Sequence, residues 1–337
     1  MKKLIAMLLV LVMVFALAAC GNSNAGNNEV TYAIVCKDAS NPYMQRMISG
    51  FEAACKDLGV KMTTKSPEKA TVDGQISIVN ELIAQGVKGI AIAANDAAAL
   101  QTTIENATKA GIAVVTVDSD TAGSQMFVNQ AGVDEVAQVL VDSCYDMAGG
   151  EGQFAVLSAS STATNQNAWI DAMKKIIAAN PDKYGKLEWV ETVYGDDEPQ
   201  KSTDEMQNLM TKYPDLKVVC CPTTVGILAA AKVVANDSSC TIKVAGLGLP
   251  SEMRDYVGEG KPCPYMYLWN PIDVGNCAAY MIKALLDGKV GDVGSSFAAE
   301  NGKTYQITAG NPAAKQIIVG PPFAFNGDNI AEWADVY

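Results

Sequence analysis

VTYAIVC at residues 30–36 begins the part of the chain that decides the fold. This run is apolar without polar alternation, which predicts a strand that is covered on both faces. Residues 42–58 then repeat apolar side chains at helical spacing, and residues 60–64 predict a second strand. Because two parallel strands need a crossover between them, the order strand, helix, strand predicts a β-α-β unit.

The same order continues along the chain and divides it into two α/β units of similar size. The first unit adds strands at 89–93 and 112–117 and helices at 72–85 and 97–110. The second opens with a helix at 133–147, followed by strands at 154–157, 187–193, 217–221, 242–246 and 265–269 and helices at 166–179, 203–213, 225–235, 251–257 and 274–286. Two such units predict two doubly wound lobes with parallel sheets. The tail at 302–337 is punctuated by Pro and Gly, and we expect it to cross between the lobes.

The N-terminal segment has the organisation of a secretory signal. Lys2 and Lys3 precede an apolar run at residues 4–16, and small residues stand before Cys20. The order Leu-Ala-Ala-Cys resembles a bacterial lipoprotein signal, in which Cys20 becomes the lipidated first residue, and residues 21–28 fit a flexible tether. A retained membrane helix is the weaker interpretation, because the apolar run is shorter than roughly 20 residues. An ordinary secreted protein with an incidental cysteine is the other alternative.

The composition excludes several classes of function. The chain carries 25 basic and 37 acidic residues, and loss of residues 1–19 with their two lysines changes the formal net charge from −12 to −14. Such an acidic surface argues against nucleic acid or anionic lipid headgroups as partners. The chain has no histidine, which excludes His-based catalytic triads, His metal sites and His pH switches.

The nine cysteines favour buried thiols over a disulfide framework or a metal site. Cys20 belongs to the signal, and five others lie within apolar patterns, where cysteine acts as a small hydrophobe. These five are Cys36, Cys55, Cys220, Cys221 and Cys277, and the remaining three are Cys144, Cys240 and Cys263. No C-x-x-C pair occurs. We expect mostly reduced thiols, no metal and no cofactor, with one or two disulfides left open.

No catalytic motif is complete in this chain. Gly302-Lys303-Thr304 ends like a phosphate-binding loop, but Phe297 stands where the first glycine is required. Gly246-Leu247-Gly248 lacks the third glycine of a dinucleotide site, and there is no G-x-S-x-G sequence. Without a nucleophile and base pair or a metal cluster, we expect a protein that is not an enzyme.

Polar side chains follow the predicted strands, where open parallel sheets bind their ligands. They are Lys37-Asp38, Asn95-Asp96 and Asp118-Ser119-Asp120 in the first unit, and Asn165-Gln166, Pro222-Thr223-Thr224 and Trp269-Asn270 in the second. If the two sheets face each other at these ends, one cleft collects carboxylates, amides, hydroxyls, a lysine and an indole. That set suits a small polyol, because carboxylates and amides bind vicinal hydroxyls and an aromatic ring covers an apolar sugar face.

Each of these residues also has a purely structural interpretation. Lys37 fits a surface lysine, and Asp118, Asn165 and Thr223 fit caps of helices or turns. Trp269 fits the core, since a large aromatic residue at the end of an apolar strand is often buried there. The charge run at residues 196–198 (DDE) is interpreted as a solvated loop or a helix start.

Six stretches carry a resemblance to a known family. They are QMFVNQA at 125–131, TATNQNAWIDAM at 162–173, YGDDEPQKS at 194–202, CPTTVG at 221–226, GLGLP at 246–250 and LWNP at 268–271. From residue 29 to 337 the chain resembles the type I periplasmic sugar-binding proteins that supply ABC importers, and among them the rhamnose-binding subunits and the related autoinducer-2 receptors. The resemblance implies two lobes joined by a hinge of several crossings. It places 29–131 and about 271–315 in the N-terminal lobe, and 132–270 and about 316–337 in the C-terminal lobe.

The pocket of the autoinducer-2 receptors has a pattern that this chain matches in part. Those receptors use a lysine, two aspartates, a glutamine, and a proline and alanine two apart, and Lys37, Asp118, Gln166 and Pro222 fit that pattern. Asn165 stands where the second aspartate is expected and Thr224 where the alanine is expected, as in the rhamnose-type sequences. An amide in place of a carboxylate removes a charge and adds a donor, so the resemblance favours a sugar.

The resemblance therefore implies a monomeric binding protein outside the cytoplasm, anchored to the membrane by a lipid on Cys20. It would capture L-rhamnose or a related deoxy sugar and deliver it to ABC permease subunits. The expected ligand-binding residues are Lys37, Asn95, Asp118, Asn165, Gln166, Pro222, Thr224, Trp269 and Asn270. A receptor for autoinducer-2 or another furanose or pentose is the alternative. A cytoplasmic regulator of the same fold would need DNA-binding helices before residue 30, where this chain has the predicted signal.

Overall fold

Two parallel β-sheets carry the fold. A computed structural model describes residues 30–299 and 302–337 of the chain, so that the predicted signal peptide, Cys20 and the tether lie outside the described residues. The strands in chain order are β1 Thr31–Val35, β2 Lys61–Thr64, β3 Gly89–Ile92, β4 Ala113–Val117, β5 Met126–Asn129, β6 Gly152–Ser158, β7 Leu187–Tyr194, β8 Leu216–Cys221, β9 Lys243–Gly246, β10 Tyr265–Leu268, β11 Ser296–Ala298, β12 Thr304–Gln306, β13 Thr308–Ala309, β14 Lys315–Ile318 and β15 Phe323–Asn326.

Helices alternate with these strands, as the sequence predicts. In chain order they are α1 Pro42–Asp57, α2 Val72–Gln85, α3 Ala97–Lys109, α4 Val133–Ala148, α5 Thr164–Ala179, α6 Pro181–Tyr184, α7 Pro199–Lys212, α8 Thr224–Asn236, α9 Pro250–Met253, α10 Pro271–Leu286 and α11 Ile330–Trp333. Two of the longest helices begin at an Asn-Pro pair. Asn41 and Asn270 each accept a backbone N–H in the first turn, and the proline that follows each of them presets the helical φ angle.

The first sheet has the strand order β13-β14-β5-β4-β3-β1-β2. All its pairs are parallel except β13 with β14. Four central strands, β1, β3, β4 and β5, have almost no exposed side chains, because helices cover both faces of the sheet. This sheet is the core of the N-terminal lobe.

The second sheet has the order β7-β6-β8-β9, and all of its pairs are parallel. An antiparallel pair of strands, β10 with β15, continues it through a bridge between Leu247 and Tyr267. With helices α4, α5, α7 and α8 around it, this sheet forms the C-terminal lobe. The predicted fold class, two doubly wound parallel-sheet lobes with a hinge of several crossings, is therefore confirmed.

The chain passes between the two lobes three times within residues 30–299 and 302–337. The crossings follow β5, β10 and β14, because each of these strands is succeeded by an element that packs in the other lobe. The tail supplies the third crossing, with β14 paired to β5 and β15 paired to β10. Since β14 stays in the first sheet through Ile318, this crossing lies a few residues beyond the expected boundary at about residue 315.

Helices α1 and α10 pack against each other at unusually close range on the first sheet. A Cβ atom on Gly50 would lie 1.9 Å from the carbonyl oxygen of Ile272, and one on Gly275 would lie 1.8 Å from that of Met47. Only glycine permits this approach of the two backbones. The contact holds the middle of α1, at Met47 and Gly50, against the start of α10, the helix that follows the second crossing.

Some predicted elements differ from the structure. The helix predicted at 251–257 is the single turn α9, which ends at Met253, and Val257 instead forms a β-bridge with Cys263. Helix α7 begins at Pro199 instead of residue 203. Strand β5 and the strands of the tail were not predicted. Each has four residues or fewer, and β5, β14 and β15 also pair with strands distant in sequence.

Two further features concern the cysteines and the helices of the described residues. All eight cysteines after residue 30 are free, and all but the half-buried Cys240 are buried, as predicted for thiols that act as small hydrophobic residues. Within residues 30–299 and 302–337, none of the helices combines the length and the apolar character needed to cross a membrane.

Candidate ligand-binding cleft

A small cavity lies between the two lobes, lined by residues that follow strands of both sheets. The N-terminal lobe contributes Lys37, Asn41, Tyr43, Met44 and Asp118. The C-terminal lobe and the second crossing contribute Asn165, Gln166, Trp169, Asp197, Pro222, Thr223, Thr224, Leu247, Leu268 and Trp269.

A buried polar cluster, formed by Lys37, Asp118, Ser119 and Asn165, occupies one side of the cavity. The Nζ atom of Lys37 lies 3.0 Å from Oδ2 of Asp118, and both side chains are 5% exposed. Lys37 also donates to Oδ1 of Asn165 over 3.2 Å. The interpretation of Lys37 as a surface lysine is therefore wrong, because its charge is compensated inside the protein.

Asn165 joins the two lobes through this cluster. Its Nδ2 donates to Asp118 Oδ2 over 3.2 Å, while its Oδ1 accepts from Ser119 Oγ over 2.9 Å as well as from Lys37. A carboxylate at this position lacks the donor that faces Asp118. The amide is thus matched to its neighbours on both of its ends, and it is more than a helix cap.

Gln75 and Asn95 hold Lys37 in place from behind the cluster. The fully buried Gln75 donates to the carbonyls of Cys36 and Ala93 and accepts from the N–H of Asn95. Asn95 Nδ2 in turn donates to the carbonyl of Lys37 over 2.9 Å. Asn95 does not line this cavity but a wider neighbouring opening of the cleft. The structure therefore places this predicted ligand residue as a positioning residue for Lys37.

An apolar wall, formed by Tyr43, Met44, Leu247, Leu268 and Trp269, faces the same cavity. Trp269 Nε1 donates to the Tyr43 hydroxyl over 2.7 Å, and the two rings meet edge to face with centroids 6.4 Å apart. Burial, and next the charge of Asp118, raise the pKa of Tyr43 well above its ordinary value. Asp118 is within hydrogen-bonding reach of the same hydroxyl, so the wall and the polar cluster meet at Tyr43.

Gln166 presents an unused acceptor at the cavity. Its side chain is buried, and its Oε1 has no hydrogen-bond partner within the described residues. A buried acceptor without a partner costs about 1–3 kcal/mol. A ligand hydroxyl in the cavity would satisfy it, which is the kind of donor that the sequence predicts.

Asp197 is a cavity residue that the sequence interpretation missed. Asp196 is exposed and Glu198 directly precedes α7, so the interpretation as a solvated loop or helix start fits them but is wrong for Asp197. Its carboxylate accepts from Thr223 Oγ1 over 2.5 Å. Burial raises the pKa of Asp197, while the Lys37 ammonium and the Thr223 hydroxyl lower it in part. The same strand-end rule that found Asp118 identifies it, because Asp197 follows β7.

Asp118 and Asp197 share an uncommon backbone conformation. Their φ angles are 58° and 53°, in the left-handed region that Asp enters more readily than most residues with a side chain. Asp118 directly follows β4 and Asp197 lies three residues beyond β7, and in each case a sharp turn brings the carboxylate to the cavity. Such turns at strand ends are frequent at binding sites.

The structure brings together seven of the nine predicted ligand residues. Lys37, Asp118, Asn165, Gln166, Pro222, Thr224 and Trp269 line the cavity. Asn95 lies behind Lys37, and Asn270 accepts the N–H of Ile272 as the N-cap of α10 instead of facing the cavity. Tyr43, Met44 and Trp169 were missed, although Trp169 follows Asn165 and Gln166 by one helical turn and so shares their face of α5. No group of three or more Cys, Asp or Glu suited to a metal ion occurs among the described residues.

The family assignment follows from comparison with known proteins. The family model described as a periplasmic binding protein domain matches residues 32–290, most of the described chain. The chain belongs to this family. As a periplasmic binding protein it binds a solute and is not an enzyme.

Several relatives of this periplasmic binding protein are known. An ABC transporter solute-binding protein from Clostridium phytofermentas, crystallised with L-rhamnose, is 46% identical, with a TM-score of 0.88 over 91% of this chain and 99% of that one. A sugar ABC transporter protein from Actinomyces odontolyticus is 38% identical, with a TM-score of 0.72 over 90% and 97% of the two chains. The D-allose-binding periplasmic protein of Escherichia coli is 27% identical over 283 residues, which are 77% of this chain and 86% of that protein.

Proposed function

We propose that this protein is the lipid-anchored substrate-binding subunit of an ABC sugar importer, and that it binds L-rhamnose or a related deoxy sugar in the cleft. The observation that carries the proposal is the 46% identity, over 91% of the chain, with a solute-binding protein crystallised with L-rhamnose. The charge, the burial and the polarity of the cavity support it independently.

The polar cluster suits vicinal hydroxyls. Lys37 and the amide of Asn165 supply donors, and Asp118 supplies an acceptor, all within 3.2 Å of one another before any ligand is considered. Two neighbouring hydroxyls of a sugar are spaced to bridge such a donor and acceptor pair. Gln166 Oε1 accepts a further hydroxyl, and the indole of Trp269 covers an apolar part of the sugar.

The test is a ligand screen on the purified protein, by thermal shift and then by isothermal titration calorimetry. L-Rhamnose at 100 times its Kd stabilises the fold by about 2.7 kcal/mol, because it binds only the folded state. Amino acids leave the melting temperature unchanged. A melting curve that does not move with any deoxy sugar or pentose would contradict the proposal.

A receptor for autoinducer-2 or another furanose or pentose is the second candidate. The observation that favours it is the similarity to binding proteins of other sugars, among them the D-allose-binding protein of Escherichia coli and the ribose import binding protein of Bacillus subtilis, which is 26% identical over 260 residues. Competition titrations with D-allose, D-ribose and autoinducer-2 against bound L-rhamnose separate the candidates. A competitor that displaces bound L-rhamnose at a lower concentration than unlabelled L-rhamnose does would be favoured as the natural ligand.

The lipid anchor, the delivery of the sugar and the monomeric state can each be considered separately. The substitution Cys20→Ser removes the lipid acceptor, so we expect the protein to move from the membrane fraction to the soluble fraction. The polar cluster already bridges the two lobes through Asn165, which supports a mechanism in which a closed form around the sugar is recognised by the permease. We expect a monomer in size-exclusion chromatography, with and without the sugar.

A further inference from the structure

In the apolar wall of the cavity, the polar groups of Trp269 and Tyr43 already form hydrogen bonds within the protein. The indole N–H of Trp269 is donated to the Tyr43 hydroxyl over 2.7 Å, and both side chains are buried. The hydroxyl of Tyr43 also has Asp118 within hydrogen-bonding reach. The rest of the wall is Met44, Leu247 and Leu268, which offer no strong donor or acceptor.

A 6-deoxy sugar has the same division of polarity as this cavity. In its pyranose form the hydroxyls are on C1 to C4, and the methyl group C6 is the one substituent without an oxygen. If the hydroxyls face Lys37, Asp118 and Asn165, the methyl group is left to the apolar residues of the lining. A C6 hydroxyl against Met44, Leu247 and Leu268 would be buried without a strong partner, because the Trp269 N–H is already donated to the Tyr43 oxygen and the Tyr43 hydroxyl has Asp118 within reach.

We infer that the apolar wall is the subsite for the C6 methyl group, and that the Tyr43 hydroxyl makes the site prefer 6-deoxy sugars by occupying the Trp269 N–H. The inference rests on the proposed function and names the feature of the sugar that the site selects. An apolar pocket discriminates against an added hydroxyl by about 100-fold at most. We therefore expect a preference of roughly ten- to hundred-fold for the deoxy sugar over its 6-hydroxy counterpart.

Three sugars test the subsite without any change to the protein. L-Rhamnose carries the methyl group, L-mannose has a hydroxyl added to it, and L-lyxose lacks C6 altogether. In calorimetric titrations we expect L-mannose to bind ten- to hundred-fold more weakly than L-rhamnose. L-Lyxose is expected to bind about fourfold more weakly, the fold-change for one buried methyl-sized group.

The outcomes separate the two claims. If L-rhamnose binds and L-mannose binds within twofold of it, the methyl subsite is wrong and the proposed function stands. That result would instead favour the ring face of the sugar lying against Trp269. If none of the three sugars binds, the proposed function fails and the inference fails with it.

The substitution Tyr43→Phe tests the part played by the hydroxyl. It leaves the ring and frees the Trp269 N–H to donate to a C6 hydroxyl, so the ratio of the Kd of L-mannose to that of L-rhamnose should fall at least fivefold. A merely structural role for Tyr43 would weaken both sugars equally and leave the ratio unchanged, which would overturn its assignment. The control is Tyr184→Phe, which removes a hydroxyl bonded to Asp142 and Gln138 outside the cavity and should not alter the ratio.

A second variant covers the case in which Tyr43→Phe does not fold. Met44→Gln keeps the length of the side chain and adds an amide to the apolar wall. We expect it to lower the same ratio, since the C6 hydroxyl then finds a partner. A ratio that stays at the wild-type value in a folded Met44→Gln protein would contradict the placement of C6 at this wall.

Discussion

The Nζ atom of Lys37 and the Oδ2 atom of Asp118 lie 3.0 Å apart, with each side chain 5% exposed. The two residues follow different strands of the first sheet, β1 and β4, and meet because parallel strands end at the same edge. A buried pair of this kind is costly to form but still more costly to break. Its place beside a cavity makes it a feature of binding as well as of stability.

Removal of one partner should therefore be strongly destabilising. We expect Lys37→Met to lower the free energy of unfolding by about 3–5 kcal/mol, because Asp118 keeps a buried charge without its cation. The double variant with Asp118→Asn should recover part of that loss in urea or thermal unfolding. The control is Lys69→Met, which removes an exposed ion pair with Glu198 across the cleft and should cost less than about 1 kcal/mol. Equal losses at the two lysines would refute the argument.

The amide of Asn165 should be essential because it is uncharged and donates to Asp118. Asn165→Asp replaces a donor to Asp118 by a second carboxylate, and two close carboxylates raise the pKa of one of them. A carboxyl whose pKa is raised on folding stabilises the fold only while it is protonated, so the stability of the variant should fall as the pH rises. We expect a loss of about 1–3 kcal/mol relative to wild type at pH 8, which shrinks towards pH 5. L-Rhamnose affinity should fall ten- to hundred-fold. A variant with wild-type melting temperatures at both pH values would argue against this account.

Asp197 should oppose stability at neutral pH in the absence of sugar. Burial raises its pKa, so its contribution to stability is present below the ordinary pKa of an aspartate and is lost as the pH rises through the raised value. We therefore expect Asp197→Asn to melt at a higher temperature than wild type at pH 7, with the difference vanishing near pH 4. Asp196→Asn is the matched control, since Asp196 has the same backbone conformation but is exposed and paired with Lys201. A higher melting temperature in both variants would exclude burial as the cause.

The contact between α1 and α10 should be intolerant of a single methyl group. Gly275→Ala places a Cβ atom 1.8 Å from the carbonyl of Met47, so the helices must move apart. We expect a loss of about 1–3 kcal/mol in unfolding free energy, the usual cost of overpacking. Because α1 carries Tyr43 and Met44, sugar affinity should fall as well. Gly320→Ala, whose Cβ would meet nothing within 4 Å, is expected to behave like wild type.

Most of the helices and strands were predictable because they depend on patterns of residues that are close in sequence. The alternation of buried strands with helices, the Asn-Pro start of α1 and the glycine end of α2 each depend on residues close in sequence. Three of the strands that were missed, β5, β14 and β15, pair with strands distant in sequence. Gln316 in β14 pairs with Phe127 in β5, and neither strand exceeds four residues, so no local pattern distinguishes them.

The sequence predicted the candidate site through one rule, namely that ligands bind beyond the carboxyl ends of parallel strands. The rule that polar residues follow parallel strands selected Lys37 and Asp118 at the end of the first sheet and Asn165 at the end of the second, because each sheet brings the ends of its strands to one edge. The same rule selected Asn95 and Asn270, whose side chains bond backbone groups and do not line the cavity, so their contact with a ligand stays a prediction. It was not applied to Asp197, because a run of acidic residues usually indicates a solvated loop.

By itself, the sequence determined the fold class, the absence of histidine chemistry and the set of polar groups at the strand ends, since these follow from residue type and short-range periodicity. Only the tertiary structure decided which groups face the cavity and which are already paired. Asn165 bonds to Lys37 and Asp118 across the cleft. The hydroxyl of Tyr43 accepts a hydrogen bond from the N–H of Trp269, which is more than two hundred residues away in sequence. The physical reason is that a hydrogen bond or a buried charge depends on distances of a few ångströms, and only packing sets distances between residues far apart in sequence.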